Sequence, residues 1–380
     1  MAQEEGSLGM QLTRQMYRYS WQNTIECKVK PPEPCRMLVL GVGDAGNNTV
    51  SRLMELGVVG AECIAVNTDA LHLELSKAHR KILIGEKLTK GIGADGNPWI
   101  GRAAVEESEE YMEKLLIGAD VIFVTAGLGG GTGSGAAPVI AKIAQRSGAL
   151  TVGVVTMPFR IEKERVKHAA YALTELRRCC DTVVVIDNNK LMQFAPSLPI
   201  ADAFRVADRV LADMIKGIVE TISAPSLINI DLAEFRNIVK RGGVAVVGVG
   251  ESDAPNRAED AVRNALRALL LDVNYAGARG ALIHVSGDAQ MTLEEANRVG
   301  EIVTEMMDND ALVIWGARVN PELNGKMKVT LVVTGVNSTS IPSEFDYTAP
   351  ELLNLESSSE PEKPLDIKLN LYQMEEDCIN

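Results

Sequence analysis

Five glycines fall within seven residues at Gly129-Gly130-Gly131-Thr132-Gly133-Ser134-Gly135. The apolar run Val121-Ile122-Phe123-Val124-Thr125-Ala126 precedes them, and a helix-like segment over 136–145 follows. Glycine at the hand-over from strand to helix leaves backbone N–H groups bare and lets the main chain approach a ligand closely. A helix N-terminus adds the positive end of its dipole, so this stretch suits a bound phosphate. A flexible linker has a similar composition but would not sit between two apolar elements. The chain is therefore expected to fold around strand, glycine turn and helix.

From Arg36 the sequence alternates between strand and helix patterns. Met37-Leu38-Val39-Leu40 reads as a buried strand. Gly41-Val42-Gly43-Asp44-Ala45-Gly46 follows it, and Asn47-Asn48 opens a helix carrying Val50, Leu53, Met54 and Leu56. Strand, G-x-G-x-x-G and helix in that order form a dinucleotide fingerprint. The next strand, Cys63-Ile64-Ala65-Val66, ends in Asn67-Thr68-Asp69, which puts Asp69 where a ribose-binding acid would stand. An NAD-dependent enzyme is one reading at this point. A third strand begins at Ile82-Leu83-Ile84 and leads to a further glycine-rich loop over 91–98, beside the two stretches at 41–48 and 129–135 that directly follow strands. Helices are expected over 101–116 and 162–178, and strands over 150–155 and 182–186. Six strands separated by helices predict an α/β fold with a doubly wound, mostly parallel sheet. Its ligand loops should lie at the carboxyl ends of the strands.

Residues 200–222 read as one long helix, with Phe204, Ala207, Leu211, Met214, Ile215, Ile218, Val219 and Ile222 at helical spacing. A helix of about six turns suits a spine between two domains. A second α/β unit follows, with strands near 244–249, 281–286, 311–317 and 328–335 and helices near 257–270 and 293–307. Its sheet should be smaller and mixed. The expected division is an arm or linker over 1–34, a nucleotide domain over 35–199, the central helix over 200–223, a C-terminal domain over 224–337 and a tail over 338–380. The arm closes on Pro31-Pro32-Glu33-Pro34. Residues 343–380 hold ten acidic side chains against Lys363 and Lys368, which reads as a disordered tail. Within it, Leu365-Asp366-Ile367-Lys368-Leu369-Asn370-Leu371-Tyr372 is apolar enough to act as a docking peptide.

The formal net charge of −13 argues against nucleic acid as a partner, since no broad basic surface could offset phosphate repulsion. No apolar run approaches a bilayer span and the N-terminus lacks a signal-peptide core, so direct membrane insertion is not expected. The six cysteines form no C-x-x-C pair and the four histidines lack metal-binding spacing. They read as reduced thiols and scattered imidazoles in a cytosolic protein without zinc.

Two glycine-rich stretches on one sheet edge suggest a triphosphate. No G-x-x-x-x-G-K-[ST] occurs, so the phosphate charge falls to N–H dipoles and a Mg²⁺ ion. The pattern Asn229-x-Asp231-x-x-Glu234 puts two carboxylates on one face of a helix's first turn. They could cap that helix. They also follow the long central helix and so belong at its far end, out of reach of the chain's own nucleotide. A second copy stacked head to tail would bring its nucleotide to them.

On these residues the chain resembles the tubulin/FtsZ superfamily of polymerising GTPases, and within it the FtsZ branch in a form that looks archaeal. The likeness runs from about Met37 to Val336. It rests on the 129–135 signature, Asn67-Thr68-Asp69-Ala70, Pro158-Phe159 and Asn229-x-Asp231. The resemblance implies that GTP phosphates are held by Asp44, Ala45, Gly46, Asn47 and Asn48 together with Gly130, Gly131, Thr132, Gly133, Ser134 and Gly135. Ala94, Asp95 and Gly96 would sense the γ-phosphate, and Glu162 and Arg165 would meet the ribose. Phe204 would stack on guanine while Asn188 and Asp208 read its edge. Asp231 and Glu234, with Asn229, would act on the next subunit's GTP. An acid beside phosphates repels them unless a metal bridges the two, so Asp44, with Asp69, is expected to hold Mg²⁺.

The implied activity is hydrolysis of GTP to GDP and phosphate in head-to-tail filaments that form a cell-division ring. That ring would lie in the cytoplasm beneath the membrane, tied to it by an adaptor on the 365–372 peptide. A paralogue of the chain is a further partner to consider. The alternative is a GTP-binding scaffold with slow or no hydrolysis that acts in cell shape or positioning. Three departures from the family pattern stand out. Asp44 replaces a glycine, Glu234 replaces an aspartate, and the glycine that often follows Glu162 is missing.

Overall fold

Strand β1 (Met37–Val42) is buried along its whole length. Leu38, Leu40 and Val42 enter one core, Met37 and Val39 the other. A strand covered on both faces needs an apolar residue at every position, so its sequence is a run and not an alternation. This computed structural model describes residues 35–190, 199–223, 230–240, 243–268, 273–274, 278–307 and 310–338. The arm over 1–34, Asn229 and the tail peptide 365–372 lie outside the described residues.

Parallel strands β2 (Ala61–Asn67) and β4 (Val121–Gly127) flank β1. Beyond β2 lies β3 (Arg80–Leu83), and beyond β4 lie β5 (Leu150–Met157) and β6 (Thr182–Asp187), all parallel. The order β3-β2-β1-β4-β5-β6 reverses between β1 and β4. The crevice beyond the carboxyl ends of two such strands is where an open parallel sheet binds its ligand. The doubly wound expectation is borne out, and the two glycine-rich stretches follow those same two strands.

The helices in this half are α1 (Gly43–Glu55), α2 (Ala70–Leu75), α3 (Glu86–Thr89), α4 (Pro98–Glu107), α5 (Glu109–Leu116), α6 (Gly131–Arg146) and α7 (Lys163–Cys179). Two boundaries differ from expectation. Helices α1 and α6 begin at Gly43 and Gly131, before the predicted starts at 47 and 136, so the glycines form first helical turns. Glycine disfavours a helix by about 1 kcal/mol relative to alanine, but here close packing decides. A Cβ on Gly46 would lie 2.3 Å from the Thr125 carbonyl oxygen, and one on Gly135 would lie 1.9 Å from that of Pro98. The single helix expected over 101–116 is two, separated at Ser108, which takes φ −107° and ψ 11°.

The second half contains α9 (Leu232–Val239), β7 (Val244–Ser252), α10 (Arg257–Arg267), β8 (Val273–Asn274), β9 (Gly280–Gly287), α11 (Leu293–Glu305), β10 (Leu312–Val319) and β11 (Met327–Ser338). Strand β11 runs antiparallel to β7 and β9, whereas β9 and β10 are parallel, so this part is mixed as expected. It joins the first half edge to edge. Strand β7 pairs with β6 through Val183 with Val244 and Val184 with Ala245, which makes one eleven-stranded sheet among the described residues.

The central helix, here numbered α8 and spanning Ile200–Ser223, lies under that junction. Its Leu211, Met214, Ile215, Ile218 and Val219 share a core with Val39 and Phe123 of the first half and with Ala245, Val247 and Leu282 of the second. Each large apolar side chain so buried contributes about 1.5–3 kcal/mol, and the helix thereby holds the two halves together.

Strand β7 and helix α10 meet backbone to backbone at Gly250, where a Cβ would fall 2.1 Å from the Ala261 carbonyl oxygen and 2.3 Å from the Ala265 nitrogen. Gly250→Ala is expected to cost about 1–3 kcal/mol, read as a lower midpoint in urea unfolding.

Candidate functional site

At the carboxyl ends of β1 and β4 opens a cavity of about 470 Å³. The first turns of α1 and α6 form its floor, with Gly43, Asp44 and Ala45 from one and Gly131, Thr132 and Gly133 from the other. Neither helix has a side-chain cap: the positions preceding them are Val42 and Gly130. Helices α3, α5, α7 and α10 likewise begin without a side-chain cap, whereas others have one. Asp69 caps α2, Asn97 caps α4, and Thr292 caps α11 in a capping box. An uncapped first turn leaves backbone N–H groups for another acceptor. Two such turns facing one cavity make an anion site built from main chain.

The walls are braced by hydrogen bonds that leave those donors free. Asn67, at the end of β2, is buried; its amide nitrogen donates to Asp44 Oδ1 at 2.9 Å, and its amide oxygen accepts from the Thr68 N–H at 2.8 Å. The hydroxyls of Thr68 and Thr132 meet at 2.7 Å and tie this turn to the glycine helix. The Gly129 N–H donates to Ser134 Oγ at 2.7 Å, and the Leu128 N–H donates to the Thr156 carbonyl at 2.9 Å. Gly129 itself takes φ 101°, a left-handed conformation that favours glycine. The loop over 93–96 is stitched to β2 by the Gly93 N–H donating to the Thr68 carbonyl.

At the opposite end of the cavity stand Asn188, Phe204 and Asp208. Phe204, on the first turns of α8, is 39% exposed and packs edge-on to Phe159 with centroids 5.8 Å apart. Asn188 is buried, and its side-chain oxygen has no hydrogen-bond partner among the described residues. Burial pushes the Asp208 carboxyl up to about 6, a rise that Arg52 and the Thr49 hydroxyl only partly offset. On the rim, Glu162 Oε1 accepts from the Phe159 N–H at 3.0 Å, and its Oε2 pairs with Arg165 at 2.6 Å.

The balance of charge is acidic. Among the described lining residues there are Asp44, Asp69, Asp95, Glu162 and Asp208 against Arg165 alone. His72 stands 3.6 Å from Asp44 at the edge. A polyphosphate entering here would meet both N–H donors and carboxylates.

Of the residues singled out from sequence, Asp44, Ala45, Asn48, Asp69, Ala94, Asp95, Gly96, Gly130, Gly131, Thr132, Gly133, Glu162, Arg165, Asn188, Phe204 and Asp208 all line this cavity. Four do not. Gly46 and Gly135 sit at close backbone crossings, Ser134 turns inward to hold Gly129, and Asn47 is fully buried with its amide unpartnered among the described residues. Asp231 and Glu234 also lie outside the cavity. They form a capping box at the start of α9, both exposed, with Asp231 Oδ1 accepting from the Glu234 N–H at 2.7 Å. Asn67 and Thr156 were not singled out. The Asn67-Thr68-Asp69 turn after a buried strand was the signal available for the first.

Cavity and fold together define a nucleotide-binding α/β protein of the GTPase class. The sequence profile described as Tubulin/FtsZ family, GTPase domain, matches residues 36–196, and that of the FtsZ family, C-terminal domain, matches residues 243–337. The chain belongs to the Tubulin/FtsZ family. It is 53% identical over 309 residues to cell division protein FtsZ 2 of Methanocaldococcus jannaschii, covering 80% of this chain and 81% of that one. It is 54% identical over 310 residues to cell division protein FtsZ 1 of Pyrococcus furiosus, covering 81% and 83%. Among solved structures, an empty FtsZ dimer of M. jannaschii superposes with a TM-score of 0.77 at 45% identity, covering 86% of this chain and 92% of that one. A protofilament of CetZ2 from Haloferax volcanii with bound GTPγS superposes at 0.70 and 23% identity, covering 85% and 99%, which is a likeness of fold.

The Asp208 carboxylate is charged above pH 6 and pays a desolvation cost that is absent once it is protonated. Asp208→Asn is therefore expected to stabilise the empty protein at pH 8. The shift from 3.8 to about 6 corresponds to roughly 2–3 kcal/mol before solvent screening reduces it. The advantage should shrink as pH falls through 6 toward 4, which urea unfolding of both proteins at pH 8 and pH 5 would measure.

Proposed function

We propose that the chain binds GTP in this cavity, hydrolyses it to GDP and phosphate, and assembles head to tail into filaments of a cell-division ring. One observation carries the reading. The cavity has donors for phosphate and an acceptor for guanine, while the exposed acid pair Asp231 and Glu234 stands on another helix end, outside it. The site of one copy then needs that helix end of the next.

In this reading the first turns of α1 and α6 hold the phosphates through backbone N–H groups. The Asp208 carboxylate accepts the guanine N1–H and amino group, which adenine does not offer in that pattern, and Phe204 stacks on the ring. Arg165, steadied by Glu162, faces the ribose. Asp69 spends Oδ1 on the α2 cap, and Asp44 Oδ1 accepts from Asn67. Each keeps a second oxygen, and neither pairs with lysine or arginine among the described residues. No group of three or more His, Cys, Asp or Glu converges there to cage a metal among those residues. That suits Mg²⁺, which keeps several waters and takes its remaining ligands from phosphate. Asp44 and Asp69 would hold it, and it would neutralise phosphate charge.

Within the α9 capping box, Asp231 Oδ2 and Glu234 Oε1 remain unbonded among the described residues. Those oxygens, with Asn229 beside them in sequence, would polarise the water that attacks the neighbouring GTP. Positioning and electrostatics suffice for phosphoryl transfer. The 365–372 peptide would tie the filament to a membrane adaptor. No helix among the described residues is long and apolar enough to cross a membrane. A GTP-binding scaffold with slow turnover is the second reading. It is favoured by the capping box itself, which occupies one oxygen of each acid.

Glu234→Ala is expected to keep GTP affinity and to lower turnover by at least about a hundredfold. Wild-type turnover per subunit should rise with protein concentration; a rate independent of concentration would overturn completion of the site by a neighbour. Asp44→Gly should flatten the dependence of GTP affinity on Mg²⁺ concentration, followed by equilibrium titration at several Mg²⁺ levels.

A further inference from the structure

His284, in the middle of β9, is 6% exposed and lies where that strand meets α8. Its Nδ1 stands 2.6 Å from Thr221 Oγ1, on the last turn of α8, and its Nε2 stands 2.9 Å from Ser286 Oγ. The Thr221 hydroxyl donates onward to the Gly217 carbonyl at 2.6 Å. A threonine hydroxyl has a single proton, so the Thr221 oxygen accepts from His284. The imidazole is therefore the neutral Nδ1–H tautomer, and Ser286 donates to Nε2. Burial and the nearby Arg318 and Lys328 lower the His284 pKa to about 4, which keeps this relay neutral under ordinary conditions. The ring also rests on α8 where the helix has no side chain: a Cβ on Gly217 would lie 3.7 Å from His284 Cδ2.

The relay belongs to a polar stripe along α8. Asp213 pairs with Lys328 of β11 at 3.1 Å, and Glu220 pairs with Arg318 of β10 at 2.6 Å. Apolar contacts tolerate a small slide of one element over another, whereas hydrogen bonds weaken steeply with distance and angle. The stripe fixes α8 at one height on the C-terminal strands. Strand β9 also packs against α9, the helix that begins with Asp231 and Glu234. One strand thus supports both the end of the central helix and the acid pair.

We infer that His284 is a positioning residue for the hydrolytic reaction, holding the last turn of α8 on β9 so that Asp231 and Glu234 are presented at a fixed place to the nucleotide of the adjoining copy. This rests on the reading that those two acids act in trans.

The test uses the full chain with His284→Leu, His284→Asn and Thr221→Val. The measurements are GTP affinity at concentrations below assembly, turnover against protein concentration, and thermal midpoint. His284→Leu and Thr221→Val should keep GTP affinity within about twofold and lower kcat about ten- to hundredfold, the penalty expected of a displaced reacting group. His284→Asn, whose amide can still donate to Thr221, should recover most of the loss. Wild-type kcat in His284→Leu would overturn the inference. So would a fall in GTP affinity in step with kcat, or Asn failing to rescue a variant that still folds. If His284→Leu does not fold, Thr221→Val decides by the same two outcomes. Glu234→Ala separates the layers: unchanged turnover there removes the trans reading, whereas its loss together with normal His284→Leu turnover removes this inference alone.

Discussion

Two helix N-termini left without side-chain caps, aimed into one crevice, are the constraint on which the rest of this molecule depends. Each is an electrostatic cost in the empty protein, because first-turn N–H groups normally find an acceptor. Placing both at the point where strand order reverses concentrates that cost where a phosphate chain can relieve it. The surrounding bonds of Asn67, Thr68, Thr132 and Ser134 fix the frame without consuming the donors. The acidic lining is compatible with the same choice: with backbone supplying the attraction for an anion, the side chains need not be basic.

In the proposed reading, selectivity for guanine would have its own physical cost. The half-buried carboxyl of Asp208 is uncomfortable when charged and, among the described residues, finds only a long hydrogen-bond contact, at 3.5 Å, with the Thr49 hydroxyl. A bound base that donates two hydrogens would relieve it. Binding and stability are thereby linked, since a ligand that binds only the folded form stabilises it by mass action. Asn188, buried with an unpartnered oxygen, belongs to the same end of the cavity and to the same logic.

Much of this was legible in the sequence. Strands buried on both faces announce themselves as apolar runs, and glycine stretches directly after β1 and β4 point to the edge where a ligand sits. The glycines misled on one matter, the helix starts, because low intrinsic propensity was overridden by backbone contacts at Gly46 and Gly135 that a linear pattern does not reveal. Ser134 and Asn47 lie within the motifs, yet a helix turns successive side chains to different faces, and theirs point inward. Asn67 and His284 were the reverse case. Each is a single polar residue in an apolar strand whose role depends on partners far away in sequence, Asp44 for one and Thr221 for the other. The acid pair at α9 could be read from sequence either as cap or as chemistry, and the structure shows the cap.

The joint between the two halves of the sheet is a ladder of only two residue pairs, Val183 with Val244 and Val184 with Ala245. Any load that pulls one half away from the other meets little resistance along that line and passes instead into the side chains of α8, which grips both halves with hydrocarbon and the second also with charge and hydrogen bonds. Those two grips yield differently under force. The greasy side can creep, while the polar side holds until it lets go. A subunit so built would behave under tension as a stiff plate with one compliant seam, and the seam lies at the amino-terminal end of β6, away from the strand ends that open onto the cavity.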